Sequence, residues 1–190
     1  MLKIFQLLCI TSLFFHMKAH DYAIVGDDMS FIQPCDESED DGTTKLGELV
    51  TFYLNHDYAE DMETIVSNGN ITINVGIPAE TQILGEMEIY KWERGHWVNT
   101  VFSIKRPDSC AAIFDPSEFW YPLVAQLPEE DRVCPPPKDR VFIINDMKNR
   151  LELKNVNVHG DLSGKYKATI HFTIGNYSSC LMSVVNVWII

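Results

Sequence analysis

The most regular stretch of the chain alternates. Tyr166, Ala168, Ile170, Phe172 and Ile174 interleave with Lys165, Lys167, Thr169, His171 and Thr173. A period of two sustained over ten residues predicts a strand with one apolar face and one wet face. Residues 83–105 repeat the pattern in two arms. Ile83, Met87 and Ile89 alternate with Glu86, Glu88 and Tyr90, Glu93-Arg94-Gly95 turns the chain, and Val98, Phe102 and Ile104 return on one face, which predicts a hairpin. Shorter strands are predicted at 22–25, 49–54, 71–75, 141–144 and 151–158. In the last of these, Leu151 and Leu153 share one phase while Val156 and Val158 share the other, which places a bulge near Lys154-Asn155. The closing stretch, Leu181 to Ile190, is apolar on both phases and reads as a strand running through the middle of a sheet.

One region carries a helical signal. Asp115 can cap, Pro116 suits a first turn, and Glu118 stands three residues after the cap. Phe119, Leu123 and Leu127 then repeat at spacing four, and Pro122 keeps the helix short or kinked. Pro128 and Pro135-Pro136-Pro137 close the segment as loop. Without repeats or a long linker, the expectation is one all-β domain over residues 20–190. Its two antiparallel sheets form an immunoglobulin-like sandwich or a β-cup, with one short helix or loop at the rim.

The amino terminus stands apart from this pattern. Met1-Leu2-Lys3, the apolar run Ile4–Phe15 and the polar His16–Ala19 form a signal-peptide pattern over residues 1–19, too short to span a bilayer comfortably. The chain has 15 basic and 27 acidic residues, a net charge of −12. Lys3 and Lys18 lie in the signal and no acid does, so the remainder carries 13 basic against 27 acidic residues, or −14. That balance excludes a nucleic-acid partner, since it would repel phosphates. A hydrophobic content of 46% excludes a disordered chain. The acidic run Asp36–Asp41 lacks a calcium-loop pattern and reads as solvated loop.

Secretion changes the meaning of the cysteines. Cys9 leaves with the signal, and Cys35, Cys110, Cys134 and Cys180 remain, an even set that implies two disulfides with three possible connectivities. No C-x-x-C pair is present, so no metal site is expected. Two sequons, Asn70-Ile71-Thr72 and Asn176-Tyr177-Ser178, fit an extracellular glycoprotein.

Signals for catalysis are sparse. Gly160-Asp161-Leu162-Ser163-Gly164 sets its serine one position late for a nucleophile elbow and reads as a polar turn. His20, His56, His96, His159 and His171 form no H-x-H or H-E-x-x-H motif. Glu86 and Glu88 share a strand face, but nothing predicts the burial a glycosidase pair needs. The expectation is therefore no catalytic residue, no cofactor and no enzyme. The unusual feature is the bulky apolar stretch at 111–127, which can either close a sandwich core or form a lid over an apolar cavity.

Cys110, that aromatic segment, Cys134-Pro135 with Lys138 four residues on, Leu162-x-Gly164-x-Tyr166 and the late Cys180 follow one another in an order that resembles the ML lipid-recognition superfamily. Within it, the resemblance is to the ganglioside activator protein and to the insect chemosensory Che proteins. It is specific over residues 110–190 and rests on strand pattern and Cys35 in the amino-terminal half. Fewer cysteines and an acidic loop after Cys35 separate the chain from the activator protein and favour the insect subgroup. The resemblance implies pairing of Cys35 with Cys180 and of Cys110 with Cys134. It also implies a β-cup that holds a lipid chain, with residues 110–134 at its rim. On that footing Met87, Ile89, Phe102, Phe119, Trp120, Ile170 and Phe172 are expected to line the cavity. The ligand would be a fatty-acyl chain, a lipid or a lipid-like pheromone, and the alternative is a module that presents lipid to a receptor or enzyme ectodomain.

Overall fold

A computed structural model of the chain describes residues 19–36, 44–158 and 160–190. The signal-peptide segment up to residue 18, residues 37–41 of the acidic run and His159 lie outside the described residues. Strands dominate: β1 (His20–Gly26), β2 (Ile32–Pro34), β3 (Val50–Tyr58), β4 (Ile65–Ile73), β5 (Ile83–Glu93), β6 (His96–Arg106), β7 (Val141–Val156), β8 (Gly164–Ile174) and β9 (Tyr177–Ile189). Among the described residues three short helices join them, α1 (Leu46–Leu49), α2 (Ser109–Ile113) and α3 (Tyr121–Val124), with a 3-10 turn at Glu129–Asp131. All pairing is antiparallel, in the order β3-β4-β7-β1-β9-β8-β5-β6, with β2 against β9 beyond the end of β1. The all-β expectation holds.

The strand order hides a fold. The carboxyl-terminal part of β7 pairs with β1, while its amino-terminal part pairs with β4. β7 therefore belongs to both a larger sheet (β7-β1-β9-β8-β5-β6) and a smaller one (β3-β4-β7). Phe31, in the β1–β2 loop, sits 5.4 Å from the His56 ring on β3. Three strand spacings of about 4.8 Å separate β1 from β3 in a flat ladder, so this contact requires the sheet to fold over on itself. A Cβ placed on Gly26 would stand 2.9 Å from Ile65 Cδ1 of β4, which fixes the closeness of the two layers at this end. Gly26 is glycine because a side chain has no room there.

The sequence reading of two strands at 141–144 and 151–158 is corrected here: they are one strand of 16 residues. Its two hydrophobic phases belong to two sheets, and a bulge at Asn145-Asp146 opposite Asn68 eases the passage. Asp146 has φ +48° and donates its N–H to Asn68 Oδ1 at 2.7 Å. The bulge expected near Lys154-Asn155 is present: His20 faces Val156 and Tyr22 faces Leu153, with Asn155 at φ +54°. The hairpin turn also forms as expected, Arg94 and Gly95 both taking positive φ between β5 and β6. β9 runs between β8 and β1, as its two apolar phases predict.

The helical reading is corrected more substantially. No helix starts at Asp115. α2 lies earlier and is capped by Asp108, whose carboxylate accepts from Ala111 N. Asp115 instead holds a tight turn, accepting from the N–H and hydroxyl of Ser117 at 2.8 Å each. α3 begins at Tyr121 with Pro122 in its first turn, where a missing N–H costs nothing.

One face of β8 also departs from its pattern. Lys167 and Thr169, on the face expected to be wet, are only 5% and 2% exposed. The Lys167 stem is covered by its cross-strand neighbours, with Nζ 5.0 Å from the Tyr90 ring and 5.5 Å from the Trp97 ring. Thr169 lies between Glu88 and Met182 on the flanking strands. Long side chains on β5, β6 and β9 bury what the alternation alone would leave in water.

Candidate ligand-binding site

The inner face of the larger sheet is apolar and continuous. Register sets Met87 opposite Ile170, Gly85 opposite Phe172 and Ile89 opposite Ala168, so Met87, Ile89, Ile170 and Phe172 form one surface across β5 and β8. β9 extends it with Leu181 opposite Ile170 and Val185 opposite Tyr166, and β6 adds Ile104 opposite Met87. Burial along this face is graded. Tyr166 is 7% exposed, whereas Ala168, Ile170, Phe172 and Ile174 on the same side of the same strand stay partly accessible. A filled sandwich would bury the middle of such a strand most deeply. Here Tyr22, Phe31, Ile65, Leu151 and Tyr166 close the layers together at one end, deep burial returns at Ser179 opposite Phe172, and the apolar side chains between stay partly accessible.

Phe102 is placed differently. It lies in a bulge of β6, where residues 100–102 oppose Ile89 alone, and it is 42% exposed. The Thr100 hydroxyl donates to the Ile89 carbonyl at 2.6 Å and holds that bulge open. Phe102 therefore sits at the margin of the apolar surface.

The segment after β6 is strapped over this surface. Ser109 Oγ would stand 2.4 Å from a Cβ on Gly85, so α2 rests directly against the inner face, at a point only glycine allows. Phe119 and Trp120 pack edge to face at 5.0 Å. The Arg106 guanidinium lies 5.7 Å from the Trp120 ring and makes a two-pronged pair with Glu118, at 2.6 and 2.9 Å. That pair raises the Arg106 pKa, the Glu118 hydrogen bond being the main cause. Farther on, Gln126 bridges to the smaller sheet: its Nε2 donates to the Lys148 carbonyl at 3.0 Å and its Oε1 accepts from Lys148 N at 2.8 Å. Arg132 donates to the carbonyls of Ala125 and Leu127, and Arg140 pairs with Asp131. Cys110–Cys134 closes the segment, and Cys35–Cys180 ties β2 to β9. Both disulfides are those the resemblance implies.

Residues 109–134 thus run from β6 in one sheet to β7 in the other. Sequence reading found the aromatic residues of this strap but not its fasteners. Arg106 and Glu118 are twelve residues apart and Gln126 and Lys148 twenty-two, spacings that carry no periodic signal. Glu118, expected in a capping box, serves the ion pair instead.

Chemistry elsewhere is already committed. Glu86 pairs with Lys105, and Glu88 accepts from the Tyr90 hydroxyl at 2.6 Å, both on the outer face. His56 Nδ1 and Ser67 Oγ are 2.6 Å apart, a contact the sequence did not suggest. Ser67 is 2% exposed and already accepts from Asn149 Nδ2 at 2.6 Å, so the pair works as a polar pin within the smaller sheet. The Gly160–Gly164 stretch is a turn held by Tyr166, whose hydroxyl donates to the Leu162 carbonyl at 2.7 Å. A groove of about 410 Å³ between the β3–β4 turn and the β1/β9 edge is lined by Val25, Asp27, Met62, Glu63 and Trp188 among others. Its acids are engaged, Asp27 by Lys165 and Asn186 and Glu63 by Arg150. Among the described residues, no group of three or more His, Cys, Asp or Glu could hold a metal, and no helix is long and apolar enough to cross a membrane.

The fold and site together define an all-β antiparallel protein with a partly accessible apolar face on its larger sheet and a disulfide-closed segment between β6 and β7. No protein-family model matches the sequence, and no curated protein matches it at a significant level.

Proposed function

We propose that the chain is a secreted, non-catalytic carrier of a hydrophobic ligand, held between the sheets beneath Phe119 and Trp120. The observation that carries this reading is the gradient along β8, buried at Tyr166 and accessible from Ala168 to Ile174 on the face turned inward. The resemblance to the ML lipid-recognition superfamily, with the Cys35–Cys180 and Cys110–Cys134 pairs it implies, supports the same reading. Affinity comes from burying alkyl chain, at roughly 0.8 kcal/mol per methylene. Met87, Ile89, Ile170 and Phe172 make the floor, with Phe102 at its margin. The exposed rim residues Ile113 and Val133, 37% and 49% accessible, favour a second reading in which the loaded protein is presented to a receptor or enzyme ectodomain.

Native mass spectrometry of the protein secreted by a eukaryotic host tests the carrier. The expected spectrum shows a non-covalent adduct of lipid mass, exchangeable for added long-chain fatty acid or alkene. Protein that is recovered empty and takes up neither probe refutes the proposal.

A further inference from the structure

The outward face of the smaller sheet carries apolar side chains around a sequon. Asn70 stands in the middle of β4, with Tyr53 of β3 and Ile143 of β7 as its register partners on either side. Neighbouring strands lie about 4.8 Å apart, so both side chains flank the Asn70 amide. Tyr53 is 66% exposed and Ile143 53%, and Val141, opposite Thr72 one step along, is 44% exposed. Around them this face is mostly polar, with Thr51, Asn55 and Asp57 on β3 and Asn68 on β4, and Val66 opposite Asp57. Asn149 and Asn74, on or beside the same sheet, spend their side-chain amides on internal bonds, to Ser67 Oγ and the Ile65 carbonyl and to Gly47 O and Thr51 Oγ1. Asn70 instead presents its amide on the outward face, and Thr72, the third residue of the sequon, shares that face.

We propose that Asn70 carries an N-linked glycan whose first sugar packs across Tyr53 and Ile143, so that the glycan is structural cover for the sheet. The inference rests on the secretory reading of the chain. Asn70 Nδ2 forms a bond to the anomeric carbon of a lipid-linked oligosaccharide diphosphate. The bond from that carbon to the diphosphate oxygen breaks, the diphosphate leaves with the electron pair, and Nδ2 gives up one proton. The C–H face of the attached pyranose then meets the electron-rich face of the Tyr53 ring, and Ile143 borders it on the other side. The second sequon offers a contrast. Asn176 lies exposed in the Gly175-Asn176 turn between β8 and β9, where an attached glycan extends away from the sheets.

The test uses the full chain secreted from a eukaryotic host, with T72A to abolish the Asn70 sequon, T72S to keep it, and Y53A to remove the stacking ring. Glycopeptide mass spectrometry is expected to find Asn70 occupied in the wild type and T72S and bare in T72A. The thermal midpoint of T72A is expected to fall about 3 °C below that of T72S, and the gap to shrink when Y53A is added to both. Native glycosidase treatment is expected to release the Asn176 glycan before that of Asn70, and removal of the Asn70 glycan from wild-type protein to lower its midpoint as T72A does. Asn176 occupied with Asn70 bare overturns this proposal and leaves the secretory reading standing; both asparagines bare overturns both. An occupied Asn70 whose loss leaves the midpoint unchanged, with or without Tyr53, overturns the role as cover.

Discussion

At the scale of single residues, His56 couples a part-buried contact between the layers to pH. It sits where the layers close, its ring against Phe31 and its Nδ1 on the buried Ser67 hydroxyl. Asn149 already donates to Ser67 Oγ, so the seryl hydrogen is free to donate to a neutral Nδ1. A protonated ring would turn that acceptor into a donor and leave the seryl hydrogen without a partner. Burial holds the His56 pKa below its ordinary value of 6.5, against an opposing pull from Asp57. The unfolded chain therefore takes up this proton more readily than the folded one. The stability His56 contributes is present in full above about pH 6.5 and is lost as pH falls through the lower folded value. Thermal midpoints measured from pH 7.5 down to pH 5 should decline, and His56→Gln, which keeps an acceptor without a titratable ring, should flatten that decline. An unchanged slope in the variant would assign the acid sensitivity to other groups.

At the scale of elements, what the sequence disclosed and what it hid divide by the range of the physics involved. Alternation in β5, β6 and β8 and the two-phase apolar run of β9 report local geometry and were legible, as were the Arg94-Gly95 turn and the Asn155 bulge. β7 was not legible as one strand, because its residues change sheets part-way and the phase of the pattern changes with them. The capping signal at Asp115 was real chemistry in the wrong role: an acceptor beside a proline suits a turn as well as a helix, and the Arg106–Glu118 pair decides between them. The strap as a whole depends on such long-range fasteners. Replacing Cys110 and Cys134 by serine frees the ends of a loop spanning 24 residues, a loss of about 3 kcal/mol in the loop-entropy model. Chemical denaturation should register that loss, and the release rate of a bound fluorescent fatty acid should rise because the strap then hangs on the Arg106–Glu118, Gln126–Lys148 and Arg140–Asp131 contacts. A stability loss without faster release would make the strap a brace rather than a lid.

At the scale of the whole molecule, the question is whether the space between the sheets is hollow or filled, and one substitution separates the two. Ile170 lies between Met87 and Leu181 in the ladder, at the centre of the inner face and beyond the closed end marked by Tyr166. In a filled core, Ile170→Trp adds atoms where none fit, forces neighbours off their rotamers and costs about 1–3 kcal/mol. In a cup, the indole occupies volume that the ligand would otherwise take, and burying its apolar surface offsets the change. The graded exposure along β8 favours the second outcome: Ile170→Trp should leave the denaturation midpoint near that of the wild type while reducing ligand uptake in native mass spectrometry. The control is Ile144→Trp on the smaller sheet, where the native side chain is 3% exposed, and there the same enlargement should destabilise. If both variants lose stability alike, Ile170 stands in a packed core, and the inner face holds the sheets together instead of holding a ligand.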